Sequence, residues 1–391
     1  MDYDCITTES QLGEFCEGLA GCAWIALDTE FVSESTFRPE LCLIQVSTPQ
    51  RLAIIDVIVA GDVRPFWQAV VDGDHETIVH AGRSEMEFCL AAVQRLPKRL
   101  FDVQLAAGLA GFEYPAGYSA LVARLLGESS EKHETRTDWR KRPLSKRQLD
   151  YAAEDTFYLA LIRDRIHAQL TELGRLGWLE EESQSWSEAL RHAMSDERWR
   201  RVSGNSGLDQ RSLAIVHELW KWREEEARRR NQPARRVLRD DLIVELAKRQ
   251  TADVKRIRAL RGMERGDLVK RLDGLAQCIE KALALPVEQC PPRAPREAAP
   301  PQLSVLGQFL FAALGSVCRE AHLAPNLVGG PNDIRDWTAW RLAGGKSRRV
   351  PKLASGWRAE FVGRLFDDLL SGKTSIRVGD PAAEHPLILE G

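Results

Sequence analysis

The chain has 391 residues, with 54 Lys plus Arg against 57 Asp plus Glu, 44% hydrophobic residues and 28% charged ones. That composition excludes a disordered, collagenous or membrane-spanning chain, and the length predicts two or three domains with cores of their own. The net charge of -3 conceals an asymmetry: residues 1–195 carry 19 basic and 31 acidic side chains, a balance of -12, whereas residues 196–281 carry 22 and 15, a balance of +7. An acidic front half suits a metal-carboxylate site, and a basic middle suits a polyanion.

The eight cysteines form no C-x-x-C pair and lie in apolar runs such as Leu41-Cys42-Leu43. They predict buried free thiols of a reducing compartment. Met1-Asp2-Tyr3-Asp4 has no basic leader character and no long apolar run behind it, so a cytoplasmic protein without a membrane span is expected.

In chain order, short β-rich apolar runs at 23–27, 41–46 and 52–57 predict three successive strands. Helical patterns follow at 63–71 and 84–96, with a strand run at 77–80 between them. This predicts a mixed sheet that starts as an antiparallel meander and is flanked by helices. One long helical pattern covers 144–173. The pattern is all-helical from 196 to 285, and the stretch 286–302 then holds six prolines without apolar period, a linker. Helical period returns at 303–319 and 357–370. The expected division is an α/β domain at 1–195, a helical domain at 208–285, a second small helical domain at 303–379 and a tail at 380–391.

Three clusters could carry chemistry. Asp28 and Glu30 close an apolar strand two residues apart, which places both on one side of the sheet. The plain alternative is that they mark where the strand meets water. In Ile78-Val79-His80-Ala81-Gly82-Arg83-Ser84-Glu85-Met86-Glu87, a strand, a glycine turn and a helix start succeed one another, with Ser84 a candidate N-cap. Glu85 or Glu87 can point back toward Asp28 and Glu30, or both can merely complement the helix dipole. Tyr151 and Asp155 lie four apart and share a helix face. Upstream, the loop Thr135-Arg136-Thr137-Asp138-Trp139-Arg140-Lys141-Arg142 reads as a basic rim for phosphates and bases, or as a solvated charged loop. Four carboxylates gathered on an acidic domain need cations, and oxygen-only ligands select hard ions such as Mg²⁺ or Mn²⁺.

The motifs D-T-E-F, H-A-G, R-T-D-W, R-P-L and Y-A-A-x-D, in this order, resemble ribonuclease D, in the tyrosine branch of the DEDD 3′–5′ exonucleases. The segment 208–285 is similar to the helicase-and-ribonuclease-D C-terminal (HRDC) domain, and 303–379 would be a second, divergent copy. The resemblance implies a ribonuclease-H-like nuclease fold in which Asp28, Glu30, Glu85 and Asp155 bind two divalent cations, Mg²⁺ or Mn²⁺, and Tyr151 orients the attacking water. It implies release of nucleoside 5′-monophosphates from RNA 3′ ends, such as those of transfer RNA precursors, by a monomer. Glu85 departs from the family, which places an aspartate there. DNA as substrate, or a weakly active RNA-binding homologue, are the alternatives. Candidate substrate contacts are Phe31, Gln45, His80, Arg136, Trp139 and Arg140. Capture of RNA is expected from the basic helical domain, and a cut near Arg293 is expected to leave the nuclease folded.

Overall fold

The computed structural model describes residues 2–129, 137–193, 196–293, 302–345 and 350–391. Its mixed sheet has strands β1 (Asp4–Ile6), β2 (Trp24–Val32), β3 (Glu40–Ser47), β4 (Leu52–Asp56), β5 (Glu76–Val79) and β6 (Arg99–Asp102) in the order β1-β4-β3-β2-β5-β6. β3 and β4 are antiparallel, with Ile44 opposite Ile55, while β1 runs parallel to β4, and β5 runs parallel to β2 and β6. Ile25, Ala26 and Leu27 are all buried, because β2 lies in the interior of the sheet and both of its faces are covered.

The long helical pattern is two helices, Lys146–Phe157 and Leu159–Glu172. The cause is local. Tyr118 hydroxyl donates to Glu154 O at 2.7 Å and accepts from Tyr158 N at 3.3 Å. It therefore occupies the rung that a continuous helix would close between those two groups. Ser145 and Gln148 form a capping box at the start of the first helix.

The chain divides into two compact units. The first comprises Met1–Glu30, Leu43–Glu188 and Ala298–Gly391. Residues 303–379, expected to form a separate domain, belong to this unit and share its core. Leu109, Phe112, Ile166 and Leu170 cluster with Leu314, Leu327, Trp337, Trp357 and Phe366. Buried Arg175 donates to the carbonyls of Leu109 at 2.7 Å and His322 at 2.8 Å and also reaches that of Ala321. Trp178 stacks on Trp357 at 5.0 Å, and Glu182 pairs with the buried Arg358. A cut near Arg293 would remove Leu314, Leu327, Trp337, Trp357 and Phe366 from this core, which argues against the expectation that the nuclease stays folded without them. Within the segment expected as a tail, β8 (Leu387–Glu390) forms an antiparallel hairpin with β7 (Ser375–Val378).

The second unit, Phe31–Cys42 and Ala189–Glu297, has a core built from Leu213, Val216 and Leu219 of the helix Gln210–Arg230 with Leu242, Ile243, Leu246, Leu275 and Ile279. Glu226 is its electrostatic hub, pairing with Arg229, Arg230 and Arg271. The β2–β3 connection belongs here: Phe37 N donates to Asn231 Oδ1 at 3.2 Å, and the Arg228 guanidinium lies 5.7 Å from the Phe37 ring centre. Among the described residues no helix is long and apolar enough to cross a membrane.

Candidate active site

Asp28 and Glu30 lie near the carboxyl end of β2 and project from the same side of the strand. Thr29 between them points the other way, and its hydroxyl donates to Glu85 Oε1 at 2.6 Å. Glu85 is buried at 4% exposure, whereas Glu87 is half-exposed and pairs with Arg83 at 3.0 Å. Of the two glutamates, Glu85 is therefore the one turned toward the sheet end.

The turn that delivers Glu85 is held by backbone. Asp102, at the end of β6, accepts from Ala81 N at 3.1 Å and Gly82 N at 3.0 Å, and from Gln104 N at 2.9 Å. Ala81 sits at φ +53, and a Cβ on Gly82 would lie 2.3 Å from Val79 Cγ2, so only glycine fits there. Ser84, the expected N-cap, does not cap. The helix Arg83–Val93 begins after Gly82 with no side-chain cap, because Asp102 already holds the amides of the turn.

Asp155 and Tyr151 complete the cluster from the helix Lys146–Phe157. Burial first, then the Asp28 carboxylate, push the Glu85 carboxyl up. Burial and then Asp155 do the same to Asp28. Glu30 rises to about 9 through burial and the charges of Asp28, Asp155 and Glu85. The Tyr151 hydroxyl is also raised, by burial, then Asp155, Glu30 and Asp28, and it hydrogen-bonds Asp155. It stays neutral, able both to donate and to accept. The four carboxylates thus sense one another at short range, and a cation is what would let them ionise together.

Among the described residues no group of three or more His, Cys, Asp or Glu side chains is arranged, as it stands, to hold a metal ion. An open, oxygen-only donor set fits a small hard cation that shares its coordination between carboxylates, water and substrate phosphate.

The expected substrate contacts are placed unevenly. Trp139 is 4% exposed and stacks on Tyr151 at 6.2 Å, so its ring fixes Tyr151 and is not open to a base. Gln45 is fully buried in β3, with neither amide atom hydrogen-bonded within the protein. His80 Nε2 is 2.9 Å from Ala116 O. Arg140 pairs with Asp138 at 2.9 Å. Arg136 lies outside the described residues, and Phe31 belongs to the second unit. Arg142, from the same basic loop, forms a bidentate pair with Asp56, both contacts at 2.6 Å, and donates to Trp139 O. That pair pins the loop and with it Trp139. Thr29, Tyr118, Asp102 and the Asp56–Arg142 pair all escaped the sequence reading. Asp102 alone left a signal, an acid between an apolar run and a helix pattern.

A sheet end that collects mutually repelling acids beside a tyrosine is the architecture of a metal-dependent 3′–5′ exonuclease, and residues 3–171 match the family described as 3′–5′ exonuclease. Residues 212–279 match the HRDC domain. Over 376 residues the chain is 35% identical to ribonuclease D of Acidiphilium cryptum, covering 95% of this chain and 94% of that one. It is 33% identical over 361 residues to ribonuclease D of Gluconacetobacter diazotrophicus, covering 92% and 90%. The crystal structure of Escherichia coli RNase D, described as an exoribonuclease involved in structured RNA processing, superposes with a TM-score of 0.83 at 27% identity over 95% of this chain and 99% of that one. The chain belongs to the ribonuclease D family and is a divalent-metal-dependent 3′–5′ exoribonuclease.

Proposed function

We propose that Asp28, Glu30, Glu85 and Asp155 hold two cations, Mg²⁺ or Mn²⁺, and that the enzyme trims 3′ ends of structured RNA such as transfer RNA precursors in the cytoplasm, as a monomer. The observation that carries the reading is the shared electrostatics of the four acids, each raised by at least one of the others or itself raising them. The E. coli relative's role in structured RNA supports the substrate class. Bound cations would supply charge neutralisation at the attacking and leaving oxygens of the scissile phosphodiester.

The chain's own residues do the rest. Tyr151, braced by Trp139 and hydrogen-bonded to Asp155, orients the attacking water for in-line displacement of the 3′-terminal nucleotide. Thr29, between the two acids in β2, holds Glu85 through its hydroxyl, which suits a side chain one methylene longer than the family's aspartate. The product is a nucleoside 5′-monophosphate, and the basic second unit captures the body of the RNA.

The test is a nuclease assay on a 3′-tailed hairpin RNA with Mg²⁺ or Mn²⁺ and a chelator control. Nucleoside 5′-monophosphates released one at a time in the presence of metal are the expected result. Faster degradation of the matched DNA, or release that survives chelation, would overturn the reading.

A further inference from the structure

The second unit presents three clusters of basic residues that look equivalent in sequence, Arg228-Arg229-Arg230, Arg235-Arg236 and Lys255-Arg256-Ile257-Arg258. In the structure they are not equivalent. Arg229 and Arg230 close on Glu226, Arg230 also faces Asp267, and Arg228 lies over Phe37. Arg235 pairs with Asp240 at 3.1 Å, while Arg236 is a single exposed cation with no ion pair among the described residues. Arg239 forms a double contact with Asp241 at 3.0 and 2.9 Å.

The helix Val254–Arg258 and the turn after it differ. Ile257, Leu260 and Met263 point inward and are buried, so Lys255, Arg256, Arg258 and Arg261 are forced outward, where all four are exposed. Among the described residues none of their side chains has an ion-pair partner. Two acids beside them, Asp253 and Glu264, feel the charges of Arg256 and Lys255 and of Arg261 but bond to backbone: Asp253 accepts from Lys255 N at 2.8 Å and Arg256 N at 3.0 Å, and Glu264 accepts from Gly262 N. Gly262, at φ +96, turns the chain sharply after Arg261.

We propose that Lys255, Arg256, Arg258 and Arg261 form the ridge on which the second unit holds the phosphate backbone of RNA, and that the Arg228–Arg230 triplet does not. The inference rests on the exoribonuclease reading only for the identity of the polyanion. Unpaired cations cost no broken ion pair when they meet phosphate, whereas Arg229 or Arg230 would have to leave Glu226. No large apolar side chain is exposed among the described residues of the second unit before Val287, so the ridge lacks the apolar partner face that a lipid surface takes. It also lacks an aromatic stacking platform, so the contact reads backbone and not base.

The experiment uses the full chain with chelator present and follows binding of a 3′-tailed hairpin RNA by fluorescence anisotropy over a salt series. Replacing Lys255, Arg256, Arg258 and Arg261 together by Ala should weaken binding about tenfold or more near physiological salt. The slope of log affinity against log salt should become shallower by about 3, since each lost phosphate contact removes roughly 0.7 to 0.9. The Arg228→Ala, Arg229→Ala double variant should change affinity by less than about twofold. Lys255→Gln with Arg258→Gln carries the same test at half the slope change should the quadruple variant unfold. Turnover of a short single-stranded RNA at saturation should be unaffected. An unchanged slope in the quadruple variant, an equal loss in the double variant, or loss of binding to phosphatidylserine vesicles with RNA affinity intact would each overturn the proposal. Absence of metal-dependent nucleotide release would overturn the proposed activity and leave the salt slopes to be judged separately.

Discussion

Two helical segments follow the nuclease sheet, and they meet opposite fates. The one around Gln210–Arg230 encloses its own core and gathers three of its arginines on Glu226. The one from Gln302 to Leu370 has no core apart from the nuclease, because Leu310, Leu314, Trp337, Trp357 and Phe366 pack into the same cluster as Leu109, Phe112 and Ile166. Similar helical periodicity can therefore describe an independent module or the missing wall of another one. What decides is where the buried polar anchors reach: Arg175 and Glu182 extend from the nuclease helices to the last segment, bonding His322 O and Arg358.

The contrast can be broken most forcefully at the proposed metal ligands. Asp155→Asn should lower nucleotide release by at least about a thousandfold on long and short RNA alike, with both units still folded by circular dichroism. Retained activity on short RNA would show that Asp155 is no ligand.

Core truncations sharpen the comparison next. Trp357→Ala removes the ring stacked on Trp178 and should cost about 3–5 kcal/mol. The nuclease should melt earlier and lose activity on every substrate. Leu219→Ala should cost about 2–5 kcal/mol in the second unit alone, sparing turnover of short RNA. Equal effects on short-RNA turnover would erase the distinction between the two segments.

A third test is pH with metal removed. The Glu30 carboxyl is raised from 4.5 to about 9 by burial and its acidic neighbours, so the folded state holds a proton that the unfolded chain releases. Its contribution to stability is complete below pH 4.5 and is lost as pH rises toward about 9. The melting temperature of the chelated protein should fall across that window, and added Mg²⁺ should raise it most at the alkaline end. The last segment should follow the nuclease in this response and the second unit should not.

The smallest effect separates the two glutamates. Glu87→Gln breaks only the surface pair with Arg83 and should leave activity within about twofold, whereas Glu85→Gln should be nearly inactive and Glu85→Asp should keep substantial activity. Steady-state rates on one RNA decide it.

Much of this was legible in sequence. The β2 run that carries Asp28 and Glu30 and the Tyr151–Asp155 spacing rest on period-two and period-four rules that local backbone obeys, whereas residue pattern alone left Glu85 and Glu87 open and only the family resemblance favoured Glu85. What sequence hid is tertiary. The break at Tyr158 comes from a hydroxyl supplied by Tyr118, forty residues away in the chain. The short strands β1 and β6 have too few residues to show a period, and β6 is visible only through what Asp102 holds. Trp139 reads as an exposed aromatic in a charged loop until Arg142 and Asp56 draw that loop down. The fusion of the last segment to the nuclease has no linear signature, since a proline-rich stretch looks the same whether it separates two bodies or returns to one.

That fusion also orders events during synthesis. All four carboxylates of the site lie within the first 155 residues, yet the residues that close the core behind them, Leu310 to Leu369, are among the last to be made. A growing chain carries the proposed ligands long before it has the far wall of the core they sit on. The core of the first unit can therefore close only once the last segment has been made.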